Sequence, residues 1–296
     1  MTQHKPRLQE PLQTASPAVQ TKAHKHWVLP SGTPVLRRGL CALAQPVLTR
    51  TQHTPGFLFH DATVLLIVAG RLDLDDDTHQ LALDAQASLL LVEPGTCVNL
   101  VKTPDEHEKC FRSIFLTLST TLLEAFRRTS HANPSDAARQ APYGLAALDD
   151  DLAATFQLVL ESVDIKRVSD ERLQCRLIDL LFALAERGHV FHGPKQSGTA
   201  GRLRTLISEA PDQAWTAHEA GRALAMSEAT LRRRLASESV RFENLLIDTR
   251  MHHALMLLQT TSWSIPHVAQ ACGYQSPARF SERFRARFGY LPSGVR

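Results

Sequence analysis

Short apolar runs separated by turn residues fill the chain from about residue 27 to 118. ATVLLIVAG, QLALDA and SLLLVEPG are brief and bounded by Gly, Pro or Asp, which predicts strands. VAGRLDLDDDTHQLAL predicts a hairpin with Asp75–Asp77 in its turn. EPGTCVNLV supplies another turn and strand, and CFRSIFLTLS a late strand. Strands at this close, regular spacing predict a small barrel or sandwich.

The period then changes. TTLLEAFRRTS, LDDDLAATFQLVLESV and SDERLQCRLIDLLFALAERGH read as amphipathic helices, with ANPSDAARQAPYG as a loop. In the third helix Leu173, Leu177, Leu180 and Leu184 recur at spacings of 4, 3 and 4. That stripe is a candidate dimer seam, or equally one helix packed on its own domain. HGPKQSGTAG has no apolar anchor and reads as a linker.

Beyond the linker every segment reads as helix. Thr216 with Glu219 forms a capping box, Ser227 and Ser264 are N-caps, and Ser276 followed by Pro277 opens the last long helix. In that helix Phe280, Phe284 and Phe288 recur every fourth residue, with Arg279, Arg283, Arg285 and Arg287 between them. A helix with one apolar stripe and charged outer faces can be anchored on its own bundle and offered to a DNA major groove.

Composition narrows the class. With 43% hydrophobic residues the chain can build a core. No apolar run is long enough for a membrane helix, and the polar, Pro-containing start has no signal-peptide core, so a cytoplasmic location is expected. The five scattered cysteines predict buried free thiols rather than disulfides or a zinc site. Net charge is +3, but residues 199–296 hold 13 Arg, no Lys and 8 acids, a local surplus of +5. Arg suits planar contacts to phosphate and guanine.

Two segments, Thr216–Glu238 and Ser264–Phe288, repeat one pattern of helix, tight turn and helix. Leu231 and Leu235 match Phe280 and Phe284 in offset from their caps. This predicts two helix-turn-helix units joined by a long helix of about 27 Å, which brings both reading helices within reach of one DNA turn.

The stretch IPHVAQACGYQSPARFSERFRARFGYLPSGVR, with MSEATLRRRL and RFENLLIDTRMHHALMLL before it, resembles the AraC/XylS family of bacterial transcription regulators. The resemblance covers about residues 199–296. PGFLFHDATVLLIVAGRLDLDDDTHQLALDAQASLLLVEPG more weakly resembles the cupin-like sensor of the same family. The implied architecture is α+β in two domains: a cupin-like β-barrel with helices, then an all-α domain with two helix-turn-helix units. Its expected parts are a tail (1–26), a sensor and dimerisation domain (27–190), a linker (191–200) and a DNA-binding domain (201–296).

By the same resemblance, Ala229, Arg232 and Arg233 of the first unit, and Pro277, Ala278, Ser281 and Glu282 of the second, face the bases. Ser227, Arg234, Ser276, Arg279 and Arg285 are the expected phosphate contacts. Ala225 stands where the family usually has Gly, at a cost of about 1 kcal/mol if that position needs φ > 0.

The expected function is a sequence-specific transcription regulator, read as an activator, acting on double-stranded promoter DNA. It is expected to be a homodimer, to meet RNA polymerase, and to answer to a small molecule or protein at its N-terminal domain. Rival readings are a cupin enzyme fused to a DNA-binding module and a DNA alkyl-damage repair protein. The first needs a convergent metal triad, whereas His53, His60, His79 and His107 are isolated in sequence; no metal or cofactor is expected. The second needs an acceptor Cys motif that does not occur.

Overall fold

In the computed structural model of the chain the described residues are 32–76, 78–85, 88–129, 142–163, 168–192 and 198–295. The expected tail, most of the expected loop before Tyr143, Asp77 and the middle of the expected linker lie outside them.

Among the described residues eleven strands precede the C-terminal helices. They are β1 (Val35–Arg37), β2 (Cys41–Ala44), β3 (Val47–Leu48), β4 (Gln52–Phe59), β5 (Ala62–Ala69), β6 (Arg71–Asp75), β7 (Gln80–Asp84), β8 (Ser88–Val92), β9 (Thr96–Thr103), β10 (Phe111–Leu118) and β11 (Tyr143–Ala147). They form two sheets. One runs β1-β2-β10-β5-β8-β11 with β3 also on β10, and the other runs β4-β9-β6-β7. Among the described residues no ladder joins the two sheets, so the domain is an open two-sheet structure rather than a closed barrel.

The apolar run at 62–69 has a topological cause. All eight residues of β5 are buried, because one face meets helices and the other meets the second sheet. Gly70 then turns the chain out of the first sheet and into the second. Its φ is +84°, and a Cβ there would collide with the Thr103 carbonyl. The predicted hairpin is therefore β6 with β7 alone. Asp75 ends β6, and Asp76 caps the turn by accepting from the Thr78 and His79 amides. The end of the expected loop, Tyr143 and Gly144, instead begins β11, which pairs antiparallel with β8.

Among the described residues three helices pack on the first sheet: α1 (Thr120–Thr129), α2 (Asp150–Ser162) and α3 (Asp170–Glu186). Leu173, Leu177, Leu180 and Leu184 of α3 are each fully buried within this single chain, in the cluster that holds α1, α2 and β5. The leucine stripe is thus the inward face of α3, and the dimer-seam reading of these residues is corrected. A helix with one apolar stripe buries it once, and the sheet has used it. Arg37, buried at 2% exposure, ties β1 to the same layer through Asp170 at 2.5 Å and the Val163 and Val168 carbonyls.

Among the described residues six helices follow: α4 (Thr199–Glu209), α5 (Ala217–Ala223), α6 (Glu228–Ser237), α7 (Phe242–Thr260), α8 (Ile265–Ala271) and α9 (Pro277–Phe288). Helix α4 begins inside the expected linker. Its first amides, Thr199 and Ala200, donate to the Glu238 carboxylate at 2.7 and 3.0 Å, so a carboxylate just past α6 caps α4. Cys41, Cys110 and Cys272 are buried, while Cys97 and Cys175 are exposed, which corrects the expectation of buried thiols throughout.

Candidate nucleic-acid interface

Each reading helix is anchored by the residues its period dictates. In α6, Leu231 and Leu235 are fully buried; in α9, Phe280, Phe284 and Phe288 are. The phenylalanines pack on one another at ring distances of 5.9 and 4.8 Å, and on Tyr290. The caps form as the sequence implies. Thr216 and Glu219 close a capping box, and Ser227, Ser264 and Ser276 accept from the Thr230, His267 and Arg279 amides. Gly289, with φ of +85°, ends α9. Helix α7 joins the units with 19 residues, about 28 Å long.

What is left outside is the candidate interface. On α6, Ser227, Ala229, Arg232, Arg233 and Arg234 are exposed. On α9, Pro277, Ala278, Arg279, Glu282 and Arg285 are exposed, and Ser276 and Ser281 are half-buried. The structure thus brings every expected contact residue to the surface of one of two helices. It also separates two arginines that sequence treats alike. Arg232 donates to Glu228 and Glu243, both at 2.9 Å, while Arg233 has no ion pair among the described residues. Any new contact of the Arg232 guanidinium requires it to leave these two carboxylates.

Arg287 departs from its neighbours on α9. Its guanidinium turns toward the N-terminal domain and donates to the Pro55 carbonyl at 3.0 Å, the Gly56 carbonyl at 2.6 Å and Asp248 Oδ1 at 2.6 Å. The two carbonyls are available because Thr54 to Phe57 is a bulge in the β4–β9 ladder, with Gly56 at φ +56°. Nearby, Lys102 donates to Gln259 at 3.1 Å, and Gln259 donates to Gln52. Helices α7 and α9 are therefore held directly by β4 and β9, a link with no local sequence signal.

The same contact gathers titratable groups. His60 is pushed down to about 3, by burial first and then by His252 and two arginines. His252 is lowered mainly by burial. Burial raises Asp248, but His252 and Arg287 outweigh it and hold the carboxyl below its usual range. Both imidazoles are thus neutral at pH 7 and Asp248 is ionised. Sequence reading left His60 isolated because its partners lie on α7. Beside them an open cleft of about 580 Å³ is walled by Arg204, Arg241, Arg283 and Arg287.

A helix-turn-helix domain family matches residues 221–296. The chain is 24% identical over 259 residues to the urease operon transcriptional activator of Escherichia coli, covering 81% of this chain and 84% of that protein. It is 32% identical over 96 residues to the E. coli K12 regulator YdeO, and 32% identical over 91 residues to the virulence regulon activator VirF of Shigella flexneri. Those two matches span 38% and 35% of their proteins. In three dimensions the chain is similar to ToxT of Vibrio cholerae, with a TM-score of 0.60 at 15% identity over 86% of this chain and 96% of that one. This likeness is one of fold and includes the N-terminal sheets. Two helix-turn-helix units on one long helix, behind a sheet-rich domain, define a DNA-binding transcription regulator. Residues 221–296 match the helix-turn-helix domain family, and the chain as a whole is similar to a transcription activator of this type. Among the described residues no helix is long and apolar enough to cross a membrane.

Proposed function

We propose that the chain is a cytoplasmic transcription activator whose N-terminal domain controls how α6 and α9 meet promoter DNA. The observation that carries this reading is the Arg287 bridge, in which a side chain of the second reading helix is held by two carbonyls of the β4 bulge. Any shift of β4 moves α9 or releases it. The relatives named as activators support activation rather than repression.

In this reading Ala229, Arg232, Arg233, Pro277, Ala278, Ser281 and Glu282 face bases, while Ser227, Arg234, Ser276, Arg279 and Arg285 hold phosphates. Their place at the surface of α6 and α9 supports contact with DNA. Residues 27–190 act as sensor and 201–296 as reader, with RNA polymerase as the further partner and a homodimer as the working unit. Catalysis plays no part. A small molecule or protein acts on the N-terminal domain; for a small molecule the cleft of about 240 Å³ between Glu93, Tyr143 and His189 is the proposed seat.

The test is fluorescence anisotropy of promoter fragments against the full chain and Arg287→Ala over a salt series. If several phosphates are held, log K falls with log salt by about 0.9 per phosphate. The variant is expected to bind with altered affinity at every salt concentration because α9 is freed. Salt-insensitive binding by the full chain refutes the DNA contacts, and unchanged affinity in Arg287→Ala refutes the coupling.

A further inference from the structure

Three metal-ligating side chains converge where the turn after β4 meets the middle of α7. His60 comes from the N-terminal domain, and Asp248 and His252 lie one helical turn apart on α7. One ligand atom from each lies within 4.8 Å of the other two. Both ring nitrogens of His60 are buried and have no hydrogen-bond partner among the described residues. An imidazole in that state forfeits the hydrogen bonds it would make in water, and only a group placed between the rings restores them. The His60 and His252 rings stand 5.5 Å apart, inclined at 72°.

His252 is already oriented for such a group. Its Nδ1 lies 2.9 Å from the Asp248 carbonyl oxygen, which only accepts, so Nδ1 carries the proton and Nε2 the lone pair. Metal-bound histidines are commonly fixed in this way, through the ring nitrogen that does not touch the ion. A cationic group already stands in the place. The Arg287 guanidinium sits there now, 2.6 Å from Asp248 Oδ1 and with Nη2 3.5 Å from His252 Nε2.

From this geometry we propose that His60, Asp248 and His252 form a site for a divalent ion of the zinc class, taken up in exchange for the Arg287 guanidinium. Two imidazoles and one carboxylate suit Zn²⁺ and its first-row neighbours, whereas Mg²⁺ and Ca²⁺ favour oxygen ligands throughout. The ion joins the N-terminal domain to α7, the helix that spaces the two reading units. It also frees Arg287 from Asp248, so binding couples the domain contact to the position of α9.

The experiment uses the metal-free full chain titrated with Zn²⁺ by calorimetry, with thermal melts in the presence and absence of the ion. One site per chain is expected. His60→Gln is expected to weaken it by about tenfold or more. Arg287→Ala is expected to tighten it, because the competing guanidinium is gone; a purely structural role for these residues gives no such opposite pair. The supporting result for His60→Gln is a melt that matches wild type in chelator and no longer rises with Zn²⁺. Should His60→Gln fail to match wild type in chelator, the Arg287→Ala titration decides alone. Wild-type chain that takes up no Zn²⁺, Zn²⁺ binding unchanged in His60→Gln, or weaker binding in Arg287→Ala overturns the site.

Discussion

Ala225 and Gly273 occupy the same place in the two helix-turn-helix units, and both backbones are left-handed, with φ of +58° and +76°. Each turn closes with the same pair of bonds: Met226 to the Gly221 carbonyl and Ala225 to Arg222 in one, Tyr274 to Ala269 and Gly273 to Gln270 in the other. Geometry thus demands a left-handed residue at both, and only one unit supplies glycine. Ala225→Gly is expected to stabilise the chain by up to about 1 kcal/mol. Gly273→Ala is expected to destabilise it by more, because a Cβ there also meets the Arg250 guanidinium and the Pro211 carbonyl. Urea denaturation of both variants checks this; a neutral or destabilising Ala225→Gly refutes it.

The two reading helices are expected to divide their labour. Arg233, which has no ion pair among the described residues, is expected to be the stronger base reader of the first unit. Its replacement by Ala is expected to cost roughly 1–3 kcal/mol of binding and to relax preference at particular base pairs. Arg279→Ala and Arg285→Ala should weaken all sequences alike and lower the salt slope by about one. Phe284→Ala should do neither selectively, since the fully buried ring is core and its loss costs about 3–5 kcal/mol of stability. Binding to single-base operator variants, with melts alongside, separates these outcomes. Uniform loss in Arg233→Ala, or a changed base preference in Arg279→Ala, contradicts the division.

Placing a charge on the α3 stripe should unfold the N-terminal domain rather than split an oligomer. Leu177 and Leu184 have no exposed surface. Leu177→Lys therefore buries an ammonium within an apolar cluster. Circular dichroism and sedimentation of Leu177→Lys and Leu184→Lys check this. A folded variant of reduced mass would return the stripe to the role of a seam.

Lys102 gives the domain contact a pH dependence. Burial pushes its ammonium down to about 8 from an ordinary value of 10.5. Between those values the unfolded chain keeps the proton that the folded chain has lost, so stability rises with pH across this window and is flat with respect to Lys102 below it. The rise is on the order of 2–3 kcal/mol. Lys102→Met should flatten the profile from pH 8 to 10. Denaturation midpoints measured over that range test it, and an equal rise in Lys102→Met would falsify the assignment.

The helix caps, the Phe280–Phe284–Phe288 stripe and the strand at 62–69 were legible from sequence because each rests on a local rule: a side chain reaching three residues along, a four-residue period, a short apolar run. The two reading units follow from those rules and from a family resemblance covering the same residues. Tertiary structure decided the rest. Gly70 carries the chain from β5 in one sheet to β6 in the other, and the Thr103 carbonyl of β9 lies against it. The leucines of α3 face inward because a sheet is there to receive them. Arg232 and Arg233 look alike in sequence, yet Glu243, on the next helix, holds only the first. His60 meets Asp248 and His252, and Arg287 meets Pro55 and Gly56, across most of the chain's length. Such pairings have no period and no local cap, so they exist only once the sheets and helices have packed.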